Sequence, residues 1–131
     1  MNALLYKLIV MFLKLNHKTL DIYRVSKSMV LECYKLTGKF SIEERFGLVS
    51  QIRRAAVSVH LNIAEGSSRK SSSERRRFYE IARGSIIEID AAMELAQDLQ
   101  YLNRADTAMP GTVTIRSFQI LSALVKHADH N

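Results

Sequence analysis

One proline and one cysteine in 131 residues exclude two large classes of fold. The lone Cys33 rules out an internal disulfide framework and fits a reducing cytoplasm. The lone Pro110, with only five glycines, leaves too few turn residues for a β-rich chain and favours long uninterrupted helices. Signatures of metal and cofactor chemistry are equally scarce. The four histidines are His17, His60, His127 and His130, and none belongs to a Glu-x-x-His pair of the di-iron bundle kind. His127 and His130 could share a helix face, but a terminal helix frays there. No Gly-rich phosphate loop is present. The composition therefore points to a chain with no cofactor, no metal and no catalytic residue. Cys33 reads as a small packing residue. Glu65, the carboxylate that could look catalytic, reads as the partner of an arginine such as Arg54 or Arg83.

What the chain does have is an apolar half, 47%, enough for the core of one domain. Its first fifteen residues, MNALLYKLIVMFLKL, are strongly apolar. No A-x-A cleavage site follows them, and Lys7 and Lys14 interrupt a run already short for a bilayer. Residues 1–15 are read as an extension of the first helix or a loose arm, and residues 16–131 as the bundle domain.

Hydrophobic periodicity predicts four helices. The first covers about Lys18–Thr37, with Leu20, Tyr23, Val30, Leu31 and Tyr34 inward and Gly38 as its stop. Ser41 to Glu44 has the form of a capping box for a second helix reaching Glu65. There Val49, Ile52, Ala56, Val59 and Ile63 share a narrow arc, and Gly66 stands where a left-handed cap is expected. Ser67–Ser73 is a short polar loop, and Ser71 to Glu74 a second capping box. The third helix runs to about Asn103 with Phe78, Ala82, Ser85, Ile89, Met93 and Ala96 inward. Residues 103–111, containing Pro110, read as a turn. The fourth helix starts near Thr112 and uses Ile115, Phe118, Leu121 and Val125. Four amphipathic helices on short loops imply an all-α, antiparallel, up-down four-helix bundle.

Second stripes run beside the core faces. Gln51, Ala55, Ser58, Asn62 and Glu65 line one flank of the second helix; Gly84, Glu88, Ala91, Leu95 and Leu102 line one of the third. Gly84 inside a helix suggests close approach by another helix, and Ile87 points away from the core. Gln51, Ser58, Asn62, Glu65, Arg83, Gly84 and Ser85 are accordingly expected to form a structural polar seam, and the chain to self-associate.

Charge is uneven. Residues 51–83 carry eight Lys/Arg against three Glu, whereas residues 84–131 carry three basic against six acidic residues. Arg53, Arg54, Arg69, Lys70, Arg75, Arg76 and Arg77 are candidates for phosphate contacts, because guanidinium forks match phosphate oxygens. A solvated helical face is the competing reading. Tyr79 is the one aromatic expected among them, so backbone contact without base reading is implied.

The segment Gln51–Ser85, QIRRAAVSVHLNIAEGSSRKSSSERRRFYEIARGS, closely resembles the four-helix-bundle proteins encoded in intervening sequences of bacterial large-subunit ribosomal RNA genes. The resemblance rests on Gln51, Arg53, Arg54, Ala55, Ala56, Ser58, Asn62, Ile63, Ala64, Glu65 and Gly66, then Phe78, Ala82, Gly84 and Ser85. It covers about residues 18–125. His60 departs from it, standing where the family has a small residue or proline, and the first fifteen residues have no counterpart. That resemblance implies a homopentameric ring and kinship with the nucleic-acid-binding accessory protein of diversity-generating retroelements. The expectation is therefore a non-enzymatic oligomer that binds structured RNA or RNA–DNA hybrids and no membrane. The alternative is a protein–protein adaptor whose basic face docks an acidic partner.

Overall fold

The computed structural model describes residues 20–128. Four helices account for most of them: α1 (Asp21–Thr37), α2 (Leu48–Ser67), α3 (Ser72–Asp98) and α4 (Arg104–Ala128), with one 3-10 turn at Ile42–Glu44. Each helix packs on two neighbours, in the cyclic order α1, α2, α3, α4. Contacts ascend on one helix as they descend on the next. Arg54 meets Glu88, Ser58 meets Ser85 and Ser67 meets Tyr79. Likewise Ser26 meets His60, while Thr37 meets Arg53. This is the contact order of antiparallel neighbours. The reading of residues 1–15 lies outside the described residues.

The core face of α2 is as expected: Val49, Ile52, Ala56, Val59 and Ile63 are all buried. The face of α1 differs. Ile22, Ser26, Met29, Cys33, Leu36 and Thr37 are buried, whereas Leu20, Leu31 and Tyr34 are exposed. The buried stripe has perfect three-four spacing, but half of it is small or polar, so apolarity alone pointed to the wrong side. Its hydroxyls are satisfied within the helix. Ser26 Oγ donates to the Tyr23 carbonyl at 3.0 Å and Thr37 Oγ1 to that of Cys33 at 2.8 Å. On α4, Thr114 and Ser117 bond the carbonyls of Pro110 and Val113 in the same way. A hydroxyl that returns to its own preceding turn enters a core without an unpaired dipole. On α4, Leu121 and Val125 are buried as expected, but Ile115 is 61% and Phe118 38% exposed. On α3, Tyr79 and Ile86 join the core, and Phe78 is only half-buried.

Helix ends depart from the sequence reading in four places. Ser41 makes no side-chain cap; Glu44 does the work instead, its Oε2 accepting from Leu48 N at 3.2 Å while Oε1 accepts from the Tyr101 hydroxyl at 2.9 Å. Helix α2 thus begins at Leu48. Gly66 is no left-handed cap but lies inside α2 and is buried. A Cβ there would stand 2.8 Å from Phe78 Cβ, so its absence lets α3 approach. Helix α3 stops at Asp98, where Gln100 takes a positive φ of 64°. The Tyr101 and Gln100 amides then return to the Ala96 and Gln97 carbonyls, both at 2.9 Å. This is a Schellman stop with glutamine in glycine's usual place. Finally, residues 104–111 are helical and Pro110 is inside α4. Asn103 Oδ1 accepts from Asp106 N at 2.8 Å and Asp106 Oδ2 accepts from Asn103 N at 3.0 Å. That reciprocal cap starts α4 early enough to offset the one backbone bond that proline forfeits.

Candidate nucleic-acid interface

The seven basic candidates fall into two groups. Arg53 and Arg54 lie near the start of α2, and about 14 residues of helix, roughly 20 Å, separate them from its end beside Arg69. They also face opposite ways. Arg53 turns to α1: its Nε donates to Thr37 Oγ1 at 2.8 Å, its Nη2 to the Tyr34 carbonyl at 3.3 Å, and its guanidinium lies 4.6 Å from the Tyr34 ring centroid. Arg54 turns to α3, pairing with Glu88 at 2.9 Å and with Gln51 Oε1 at 3.0 Å. Both arginines tie helices together.

The second group surrounds the loop between α2 and α3. Ser71 caps α3 by accepting from Glu74 N at 3.4 Å. Arg75 donates from Nη1 to the carbonyls of Arg69 and Lys70, at 3.0 and 2.7 Å, which fixes the loop. Arg69 pairs with Glu65 and covers the Phe78 ring at 5.2 Å. Arg76 pairs with Glu80 at 2.9 Å. Arg77 and Lys70 are exposed. The expected orientation of this helix took Phe78 as the inward residue. Tyr79 is inward instead, its hydroxyl 2.9 Å from Ser67 Oγ, so Arg77 and not Arg76 is the outermost of the three arginines.

The polar seam is an intrachain seam where it can be traced. Ser85, buried on α3, donates to Ser58 Oγ at 3.1 Å, and Asn62 Nδ2 donates to the Ser58 carbonyl at 2.8 Å. Glu65 takes Arg69, not Arg54 or Arg83. Gln51 supports Arg54. Arg83 is half-buried and Gly84 exposed, and a Cβ on Gly84 would meet nothing of this chain within 4 Å. The close approach expected at Gly84 is therefore not made inside one subunit.

Two polar features escaped the sequence reading. His60 Nδ1 lies 2.8 Å from Ser26 Oγ, and its ring 4.5 Å from that of Tyr23. The Ser26–His60 hydrogen bond is an α1–α2 tie. Lys39, in the α1–α2 loop, pairs with Asp106 at 3.0 Å and fastens the cap of α4. Neither has a sequence signal, since each joins residues far apart in the chain. Burial pushes the Cys33 thiol up to about 12, with Glu32 adding to it, so it stays protonated at neutral pH. Among the described residues no cluster of three metal-ligating side chains occurs, and no helix is long and apolar enough to cross a membrane.

No curated protein matches this sequence. A family model does, over residues 18–112, which include both arginine groups, the loop between them and the whole of α1 to α3. The chain belongs to the 23S rRNA-intervening sequence protein family.

Proposed function

We propose that this protein is a self-associating bundle that binds nucleic-acid backbone through the loop end of α2 and α3, without catalysis. The carrying observation is the loop held by Arg75, with Arg69, Lys70, Arg76 and Arg77 around it at the N-terminus of a 27-residue helix. A helix start offers unpaired amides and the positive end of the dipole. The internal pairs Arg69–Glu65 and Arg76–Glu80 are half-exposed, and pairs of that kind contribute about 0–1 kcal/mol. A phosphate can therefore replace Glu65 or Glu80 at little cost. Arg53 and Arg54 are structural in this reading, because their forks are committed to α1 and α3.

Self-association is assigned to the outer face of α3. Ile81, Leu95 and Leu99 are exposed there, on the side facing α2, with Gly84 and Ala91 between them. The pentamer is an expectation from the resemblance. The family is named for an intervening sequence of 23S rRNA, which makes such RNA the first probe.

The test is fluorescence anisotropy with structured RNA, RNA–DNA hybrid and duplex DNA over a salt series. Affinity falls as salt rises. Arg75→Ala/Arg76→Ala/Arg77→Ala lowers affinity at least tenfold on every probe and reduces the salt slope by up to about three. Arg77→Ala has the largest single effect. Equal binding by parent and triple variant at about 0.15 M salt refutes the proposal. Capture of an acidic protein that survives nuclease then favours the adaptor.

A further inference from the structure

We infer that the hollow between the end of α1, the 3-10 turn and the start of α2 is an anion site for a phosphomonoester, independent of what the basic loop end binds. The hollow measures about 290 Å³, near the lower bound for small-ligand pockets. Two of its eight lining residues are Arg45 and Arg53, and none is acidic. Three other hollows on the bundle each hold a carboxylate: Asp21 in one, Asp90 in another, and Glu32 with Asp106 in the third.

The fold supplies the two cations and withholds their counter-charges. Arg53 is held in place: Thr37 Oγ1 and the Tyr34 carbonyl take two of its five N–H donors, and the Tyr34 ring supports its plane. Three donors remain on a guanidinium whose position is already fixed, so using them costs little side-chain entropy. Arg45 follows the 3-10 turn, is exposed, and makes no ion pair or side-chain hydrogen bond among the described residues. The carboxylates of the turn lie outside the lining. Glu44 is taken by Leu48 N and the Tyr101 hydroxyl, and Glu43 is exposed elsewhere on the turn. A helix C-terminus is negative and by itself opposes an anion. Here the last carbonyls of α1 are answered: those of Leu36 and Thr37 by the amides of Lys39 and Phe40, and that of Tyr34 by the Gly38 amide and Arg53. Ser41, whose side chain caps no helix, brings a hydroxyl to the same wall.

These groups select the ligand's chemistry. Two guanidinium charges lining one hollow are unneutralised until an anion joins them. A phosphomonoester carries about −1.5 to −2 charges at pH 7 and three strong acceptor oxygens, enough for both arginines and Ser41. A backbone phosphodiester carries a single charge, so it neutralises only one of the two arginines. Phe40 and Val49 give the hollow an apolar side for the organic group of the ester. Bound there, the ester joins the end of α1 to the start of α2, and binding to the folded state alone raises Tm.

Isothermal titration calorimetry of the full chain at constant ionic strength, with inorganic phosphate, 5′-AMP and cyclic 3′,5′-AMP, tests the assignment. Inorganic phosphate and AMP bind and raise Tm, and cyclic AMP, a diester with the same base, binds at least tenfold more weakly than AMP. Arg45→Ala lowers AMP affinity at least tenfold and leaves the ligand-free melting curve unchanged, since Arg45 holds nothing in the fold. Arg75→Ala/Arg76→Ala/Arg77→Ala keeps AMP affinity within twofold of the parent. A parent that binds no AMP at millimolar concentration overturns the inference, as does an Arg45→Ala protein that binds like the parent. Loss of AMP binding in the triple variant overturns it by assigning the anion to the basic loop end. Equal affinity for AMP and cyclic AMP overturns the choice of a monoester. RNA with a 5′-phosphate, set against the same strand with a 5′-hydroxyl, separates the two sources of the ester. A preference that Arg45→Ala abolishes makes a strand end the ligand, and equal binding of both strands by a parent that binds AMP makes it a free ester.

Discussion

Gly66→Ala sets helix propensity directly against packing. In an unobstructed helix the change stabilises by about 1 kcal/mol. Here the new Cβ meets Phe78 Cβ at 2.8 Å and the Tyr79 ring at 3.2 Å, against an ordinary contact of 3.4–4 Å. Phe78 Cβ is one bond from the backbone of α3, so no rotamer relieves the overlap and the helices must part. Parting them also loosens the Tyr79–Ser67 hydrogen bond and the seat of Arg69 on Phe78. Overpacking of this kind costs about 2–3 kcal/mol. The net is a loss of about 1–2 kcal/mol, or roughly 3–10 °C in Tm for a domain of this size. Gly111→Ala is the control. It is also helical, but its Cβ meets nothing within 4 Å, so it gains about 1 kcal/mol. Thermal melts followed by circular dichroism decide. A Gly66→Ala protein as stable as the parent, with the control behaving as stated, would show that α2 and α3 are not in contact at this end.

Ile52 is fully buried in α2, so Ile52→Asp places an unpaired charge in the core and unfolds the chain; a parental melting curve would discard the core assignment. Cys33 is buried and protonated, so alkylation at pH 8 runs at least tenfold slower than in denaturant, and equal rates would put Cys33 at the surface. The Asp106 carboxyl is held below its ordinary range by the Asn103 amide and then by Lys39. Its contribution is thus present above the unfolded value and is lost as pH falls through the folded one. Asp106→Asn should therefore lower Tm at pH 7, and the difference from the parent should begin to shrink only as pH falls below the ordinary carboxylate value of about 4; a difference that persists undiminished in strong acid would refute this role.

Where one force dominated, the chain was readable. Helix α2 presents five aliphatic or alanine positions in one arc, and all five are buried. The face of α1 was illegible for a definite reason. Serine, cysteine and threonine hold half of it, and their burial depends on hydroxyls bonding one turn back, which no hydropathy pattern records. Pro110 misled in a similar way, because its cost depends on whether a cap upstream starts the helix. The cap is the reciprocal pair of Asn103 and Asp106, just upstream of the proline. On α4, Ile115 and Phe118 carry core periodicity yet line surface hollows, and only the packing of α1 and α3 beside them reveals it.

The basic candidates show the same limit at the level of the site. Sequence proximity grouped seven cations, and a helix of 20 residues then split them. What separates the groups physically is the available partner. Arg53 and Arg54 face neighbouring helices across short gaps, where a carbonyl, a hydroxyl and Glu88 await them. Arg75, Arg76 and Arg77 sit in the first turns of α3, where Arg75 reaches the loop carbonyls of Arg69 and Lys70 and Arg76 pairs with Glu80. A cation that joins two helices is removed at a cost in stability. An exposed ion pair within one helix contributes only about 0–1 kcal/mol. Comparing Arg53→Ala/Arg54→Ala with the triple variant in both melting and anisotropy therefore separates structure from binding. The first pair should lower Tm and leave affinity per folded molecule unchanged, and the triple should lower affinity per folded molecule at least tenfold.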